Sequence, residues 1–451
     1  MAMGVAMGGS WAQGEGALVT SWLQNTTATG NYYVTGNPTL LPNNILVNCQ
    51  AVAYSDDWVY VSATGVPAYP TGPFQDGNPS QATNQSRINR FPRSPQPASG
   101  TPQATNPGNI GLFINGVALF DYRDGVAWNP NTQSLCGGPG NPPCPGGPQA
   151  TMAWNRDAVP AERHGFDCAK GHPAMGNYHH HQNPSAFDLD YVVISDICNL
   201  YDADGLYVME EGTHAPLIGW AYDGFPIYGA YGYREVDGTG GIVRMESGYA
   251  LRDITVRTHH ADGTDVPDGP PVGATYPLGY FREDYAFEAA PGVPERLDAF
   301  NGRFCVTPEF PQGTYAYFTT ADANHNSAYP YAVGPQFYGQ VTGGAVNAIT
   351  EATTTYTGAN GIAAQGTVPL APKVFPNPAS DFCAVQIPLL PHPIRLTVCD
   401  ALGATVHSGS MAAGSTLFPV DVQTLPTGLY AIELVTPEGQ RLATVRLVVE
   451  R

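Results

Sequence analysis

Residues 161–182 read AERHGFDCAKGHPAMGNYHHHQ, and the rest of the chain is best read outward from them. In the run Tyr178-His179-His180-His181, an extended backbone sends alternate side chains to opposite faces. His179 and His181 then share one face, and Tyr178 and His180 the other. Two imidazoles two residues apart on a strand converge on one ion. His172, set between Gly171 and Pro173, is placed to swing in as a third ligand. Neutral imidazole suits zinc, copper, nickel and iron. The stretch also holds His164 and Asp167, and His214 follows downstream as a further candidate ligand. A lone histidine is more often a surface group or one bonded to backbone, but a cluster this dense favours a metal site.

Composition sets the fold class. Charged residues make up only 13% of the chain, whereas Gly (52), Pro (42) and Tyr (25) are abundant. That balance favours short strands joined by turns over long surface helices, which need Lys, Glu and Arg. The expectation is therefore a mainly β protein: a large β-rich body followed by a small C-terminal β-sandwich. The net charge of -19 argues against nucleic acid or an anionic membrane as partner. No stretch is long and apolar enough to span a membrane. Residues 1–16, MAMGVAMGGSWAQGEG, read as the remnant of a signal peptide whose beginning is missing.

The body is expected over residues 17–339. Alternation in LVTSWLQ, NYYVTG, ILVNCQAVAYS and WVYVSATG predicts strands, while the polar Pro/Asn/Gln segment 71–109 reads as an excursion held by contacts. IGLFINGVALFDY and DLDYVVISD predict further strands. Trp220, Tyr222, Phe225, Tyr228, Tyr231 and Tyr233 form an aromatic run that either fills a β core or makes a substrate-facing platform, the core being the commoner use. The acidic segments 202–205 and 262–268 read as turns first and calcium sites second. One echo carries information: Gly176-Asn177-Tyr178-His179-His180-His181 is matched by Gly313-Thr314-Tyr315-Ala316-Tyr317-Phe318. If the two are equivalent strands, the scaffold survives in both and the same-face imidazoles in one.

Eight cysteines in a loop-rich chain indicate an oxidising compartment. Cys136 and Cys144 enclose the loop CGGPGNPPC and are predicted to pair. Cys383 and Cys399 flank strands expected to be neighbours and form a second candidate pair, while Cys49, Cys168, Cys198 and Cys305 stay unassigned. Residues 340–372, low in charge and rich in Gly, Ala and Thr, predict a flexible linker. From residue 373 alternation returns in six or seven short strands, the pattern of a small β-sandwich over 373–451.

Two resemblances follow from motifs. Phe375-Pro376-Asn377-Pro378-Ala379-Ser380-Asp381, Asp400-Ala401-Leu402-Gly403 and Leu425-Pro426-Thr427-Gly428-Leu429-Tyr430 resemble a type IX secretion C-terminal sorting domain of Bacteroidota-type bacteria. That resemblance implies the type IX machinery as partner and a secreted or cell-surface location. The body resembles the YHYH domain family. The features that carry it include Asp57-Trp58-Val59-Tyr60-Val61, Gly171-His172-Pro173, the histidine run, His214-Ala215-Pro216-Leu217-Ile218-Gly219 and Asp223-Gly224-Phe225-Pro226-Ile227-Tyr228-Gly229. The family motif has Tyr where this chain has His180, so its two histidines fall on His179 and His181.

The leading functional expectation is a secreted protein holding copper or zinc, with calcium a weaker candidate, at His172, His179, His181 and His214. Such a site could serve a metal-dependent extracellular enzyme. Asp223 is the candidate acceptor fixing an imidazole tautomer, and Tyr178 and Tyr228 are candidate neighbours or substrate contacts. The alternative is a non-catalytic surface module binding glycans or proteins through an aromatic-rich face. A metal-free hydrolase using Asp188 and Asp190 is a third class. No G-x-S-x-G elbow, phosphate-cradling loop or H-E-x-x-H occurs.

Overall fold

The computed structural model of the 451-residue chain describes residues 16–74, 81–138, 140–147, 152–167, 169–184, 211–323, 326–357, 372–387, 393–400, 404–412, 417–436 and 441–450. Strands take 42% of the chain and helices 4%, so the mainly β expectation holds. The described residues divide near residue 360 into two compact units.

The first unit is built on an eight-stranded sheet. Its strands in chain order are β1 (Asn109–Phe113), β2 (Ala118–Phe120), β3 (Gly171–Ala174), β4 (Asn177–His180), β5 (Leu217–Ala221), β6 (Pro226–Tyr228), β7 (Gly302–Cys305) and β8 (Thr314–Phe318). They lie side by side as β3-β4-β2-β1-β5-β6-β8-β7. This order is one motif used twice. In each copy an antiparallel hairpin (β1-β2 or β5-β6) takes a parallel neighbour (β4 or β8), which pairs with its own hairpin partner (β3 or β7). The register repeats as well: His180 lies beside Leu119 as Tyr317 lies beside Ile227, and His172 faces His179 as Arg303 faces Ala316.

The copies meet where β1 and β5 pair antiparallel, with Leu112 opposite Trp220. The residues explain why they can. A Cβ on Gly111 would stand 2.7 Å from the Trp220 carbonyl oxygen, and one on Gly219 would stand 2.9 Å from that of Leu112. Both hairpin turns use a short polar side chain as acceptor: Asn115 Oδ1 takes the Val117 N–H at 3.1 Å and Asp223 Oδ1 that of Phe225 at 3.3 Å. The Gly-x-Tyr echo thus falls on β4 and β8 at equivalent places. In each, the tyrosine hydroxyl donates to an aspartate, Tyr178 to the buried Asp167 at 2.9 and 3.0 Å and Tyr315 to the half-buried Asp298 at 2.9 and 3.0 Å.

A five-stranded sheet covers one face, in the order Gly344–Val346, Arg87–Pro92, Trp58–Ala63, Cys49–Tyr54, Thr354–Thr355. Val52, Val59, Val61 and Phe91 from it share one core with Leu112, Phe113, Ile218 and Tyr317. Several expectations change here. Residues 17–20 are a helical turn and not a strand, and the polar segment 71–109 contributes Arg87–Pro92 to the covering sheet. The first half of the expected linker is body: Gly344–Val346 pairs with Ile88–Arg90 and Thr354–Thr355 with Ala53–Tyr54. Low charge there reflects strand edges at least as much as linker composition. The aromatic run makes no surface face, since Trp220, Tyr222, Phe225, Tyr228 and Tyr231 are buried.

The C-terminal unit is a β-sandwich. A three-stranded sheet (Lys373–Phe375, Phe382–Gln386, Leu417–Asp421) packs on a four-stranded one (Ile394–Cys399, Thr405–Met411, Gly428–Val435, Arg441–Val449). Val385, Leu396, Val398, Val420, Ile432 and Leu447 form its core. Cys136 and Cys144 are bonded, as their loop predicts. Cys383 and Cys399 are not. They are free thiols on strands of different sheets, so the neighbouring strands that pairing required are absent. Cys49 and Cys305 are free and buried, while Cys168, Cys198 and the segment around Asp188, Asp190 and 202–205 lie outside the described residues.

Candidate metal centre

Three elements bring the site together. The β3-β4 pairing sets His172 directly across from His179. Alternation along β4 then points His179 toward the same side as His181, just past the strand end. A short helix, α1 (Ala158–Glu162), is capped by Asp157, whose side chain accepts the Val159 N–H at 3.0 Å. Its last residue, Glu162, reaches the imidazoles: Oε2 lies 3.2 Å from His172 Nε2 and 3.3 Å from His181 Nε2. The candidate ligand atoms of His172, His179 and His181 all fall within 4.8 Å of one another, and all three residues are buried.

Their tautomers follow from their partners. A carbonyl oxygen can only accept, so His179 Nδ1–H donates to Asn177 O at 2.9 Å and His181 Nδ1–H to Asp121 O at 2.5 Å. In the neutral rings this leaves two Nε2 lone pairs facing each other at 3.1 Å, with the Glu162 carboxylate beside one of them. Lone pairs at that distance repel unless a proton or a cation stands between them. Phe120 stacks on His179 with ring centroids 3.7 Å apart, and Phe166 meets His172 edge-on at 4.9 Å. These rings hold the imidazoles in place from both sides.

The electrostatics favour positive charge here. Burial alone pushes Glu162 up, yet hydrogen bonds and charge from His172 and His181 outweigh it and hold the carboxyl well below its usual value. His181 shows the reverse balance: burial lowers it, but Glu162 and the Asp121 carbonyl leave it raised. His179 is driven well down by burial and by the two neighbouring imidazoles. Around them, burial lifts Asp124 to about 6 and Asp157 to about 8, opposed by Arg156 at the first and by Tyr331 at the second. A bound cation would relieve such carboxyls.

The other expected site residues lie elsewhere. His180 points to the opposite face, as alternation requires; Tyr69 and His180 share a hydrogen bond at 2.8 Å, and burial takes His180 down to about 3. Tyr178 is on that face too, clasped by Asp167. His214 is no part of the trio. Its ring packs against Tyr228, Tyr233 and Phe318 in the second copy of the motif. Tyr228 belongs to that copy as well, where it donates to Glu309 at 2.8 Å and occupies the place of Phe120. Asp223 fixes no imidazole: it accepts from Tyr317 at 2.6 Å and from the Gly339 N–H at 2.9 Å. The acidic segment 262–268 is a turn, with Asp262 accepting the Thr264 N–H at 2.9 Å. Sequence reading missed Glu162 as a ligand although it lies within the stretch 161–182; the signals were that position and Asp157 as the cap of the helix that ends at it.

Residues 89–329, more than half of the chain, match the family described as YHYH protein. Residues 373–450 match the Secretion system C-terminal sorting domain, which directs export by type IX secretion in Bacteroidota to the cell surface or the extracellular space. Among solved structures, a DUF3244 family protein with an immunoglobulin-like β-sandwich from Bacteroides vulgatus is 16% identical, with a TM-score of 0.16, covering 18% of this chain and 85% of its own. PorZ, a surface component of the type IX secretion system of Porphyromonas gingivalis, is 10% identical with a TM-score of 0.17, covering 93% of this chain and 53% of its own. No curated protein matches. No described helix is long and apolar enough to cross a membrane.

Proposed function

Because the chain belongs to the YHYH protein family and carries a type IX sorting domain, we propose that it is an exported metalloprotein holding copper or zinc at His172, His179, His181 and Glu162. The observation that carries this reading is the set of ligand-to-ligand distances. Zinc or copper ligands lie roughly 2.0–2.1 Å from the ion, which sets tetrahedral neighbours roughly 3.3 Å apart. Three of the six pairs stand near that spacing, His179–His181, His172–Glu162 and His181–Glu162 at 3.1, 3.2 and 3.3 Å, and the three histidine ligand atoms as a group lie within 4.8 Å, so His172 would draw in on an ion. Three nitrogens and one carboxylate oxygen suit borderline metals better than calcium, which takes six or more oxygens.

The repeated motif adds support. The second copy keeps the strand register and the Asp–Tyr clasp but carries Arg303, Ala316 and Phe318 where the first has His172, His179 and His181. The fold can therefore be made without the imidazoles, and their presence in one copy argues for chemistry. Glu162 is the most accessible ligand, its side chain 24% exposed, so a metal-dependent enzyme would receive its substrate along that edge.

Elemental analysis of protein purified without added metal tests the reading. Copper or zinc near one per chain is expected, lost on substitution of His179 or His181. A competing arrangement holds a proton instead, with His181 as imidazolium paired to Glu162; metal-free protein that takes up neither ion would establish it in place of the metalloprotein.

A further inference from the structure

A cleft of about 470 Å³ opens on the outer side of the five-stranded sheet, and no residue of the metal centre lines it. Its floor includes Ser62 and Ile88, which pair across two strands of that sheet. Alternation turns both away from the core that takes Val61 and Phe91. One wall is Asn44 and Ile45, near the end of the strand Asn37–Leu46, whose partner is Thr29–Val34. The Thr64 hydroxyl ties this wall to the sheet by donating to the Leu46 carbonyl at 2.7 Å. Asn84 and Ser86 form another wall, held where the Gln85 N–H donates to the Thr64 carbonyl at 2.8 Å.

What the lining offers a ligand follows from the bonds it already makes. Gln50 Nε2 donates to the Val47 and Asn48 carbonyls, both at 3.0 Å, which fixes the amide and leaves Oε1 to accept. Asn84 is set the other way: Oδ1 accepts the Ser86 N–H at 2.8 Å and hydroxyl at 3.1 Å, leaving Nδ2 to donate. Arg87 engages one guanidinium nitrogen with Asn109 Oδ1 at 3.1 Å and keeps further N–H donors. The Ser62 hydroxyl, able to donate and accept, bonds to none of the described residues. Ile45 and Ile88 supply aliphatic surface between these groups.

This composition narrows the ligand. The described lining holds no His, Cys, Asp or Glu, so it offers no metal site, and no aromatic ring on which an arene could stack. An anion would meet one guanidinium, already engaged, on a chain of net charge -19. An added peptide strand has no open edge at Ile88, whose strand pairs with Trp58–Ala63 on one side and Gly344–Val346 on the other. What remains is an uncharged ligand that donates and accepts at several points and has a C–H face. We propose that the cleft binds a neutral saccharide, with hydroxyls at Gln50, Ser62, Asn84 and Arg87 and the ring's C–H face on Ile45 and Ile88. The volume lies within the range of about 300–1,000 Å³ usual for small-molecule sites. Binding here is independent of the metalloprotein reading, since no ligand of the ion takes part.

The test uses full-length protein and four neutral trisaccharides, maltotriose, cellotriose, laminaritriose and mannotriose, with trigalacturonate and tetraalanine as charged and peptide comparators. Saturation-transfer NMR titrations read the affinities. At least one neutral trisaccharide is expected to bind with a Kd on the order of 1 mM, several-fold tighter than either comparator. Ser62→Phe fills the cleft from an outward, half-buried position and is expected to abolish that binding. Ser62→Ala removes only a hydroxyl that no described residue uses, so it is expected to melt as wild type and to weaken binding about three- to tenfold, which keeps the test open if phenylalanine disturbs the fold. Metal content is expected to stay at the wild-type value in both variants, so failure of sugar binding and failure of the metal site are read separately. No binding of any neutral trisaccharide, equal or tighter binding of either comparator, or unchanged affinity in Ser62→Phe would overturn the proposal.

Discussion

Replacing His179 and His180 one at a time separates the metal site from the fold. The two are adjacent on β4 and both about 1% exposed, so burial alone treats them alike. A four-ligand zinc site contributes about 10–16 kcal/mol, so losing one ligand removes roughly a quarter, ~3 kcal/mol or about a hundredfold in affinity. His179→Ala is expected to show that loss. Without metal it also removes one of two lone pairs that face each other at 3.1 Å, which offsets part of the packing lost against Phe120. Its chelator-treated form should therefore melt close to wild type. His180→Ala should do the opposite. It leaves a cavity beside Phe113 and Tyr178 and deprives Tyr69 of a hydrogen bond of 2.8 Å, a cost of about 2–4 kcal/mol. Its metal affinity should stay within about threefold of wild type, since its ring points to the other face. Competition with a chelating dye gives the affinities, and denaturant unfolding of treated protein gives the stabilities. Metal loss in His180→Ala with retention in His179→Ala would refute the assignment of faces.

Metal affinity should fall as pH drops, and because Glu162 raises His181, the fall should begin above the ordinary imidazole value of about 6.5; a chelator titration across pH 5–8 checks it. In the metal-free protein the sign reverses: the raised His181 contributes stability that is full below about 6.5 and lost as pH rises through its folded pKa, which denaturant unfolding at two pH values resolves. Tyr178→Phe should cost about 1–3 kcal/mol, because the buried Asp167 carboxylate loses a hydroxyl donor at 2.9 Å, and thermal melting measures it. Reducing the Cys136–Cys144 bond, whose partners are 8 residues apart, should cost roughly 2–3 kcal/mol from the unfolded-state entropy of a short loop. Limited proteolysis should spare residues 340–357, which include strands paired with the body sheet, and early cleavage there would contradict those pairings.

The parts of this structure legible from sequence were those carried by local periodicity. Alternation placed His179 and His181 together and His180 apart, and a short loop paired Cys136 with Cys144. The parts that escaped depend on contacts distant in sequence. Glu162 lies within the stretch 161–182 itself but at a helix end, and no spacing rule aims a helix end at a strand that starts nine residues on. His214 is a candidate ligand only as a further histidine downstream of the cluster, and its partners Tyr228 and Phe318 belong to the second motif copy. Asp223 invited a role at the histidines, although its place matches that of Asn115 in the first hairpin. The repeat of Ile110-Gly111 through Asn115-Gly116 in Ile218-Gly219 through Asp223-Gly224 was in the sequence and would have assigned both residues to the second copy. Cys383 and Cys399 show the limit of strand counting, because consecutive strands in a sandwich often belong to different sheets.

X-ray absorption at the zinc and copper edges of protein purified without added metal tests the central claim most directly, since it identifies the ion and counts its ligands. The expected spectrum has a shell of nitrogen and oxygen at roughly 2.0–2.1 Å, with the outer-shell scattering of three imidazoles, and it loses one imidazole in His179→Ala. An absent edge, a shell containing sulfur, or imidazole scattering unchanged in His179→Ala would contradict the site at His172, His179, His181 and Glu162.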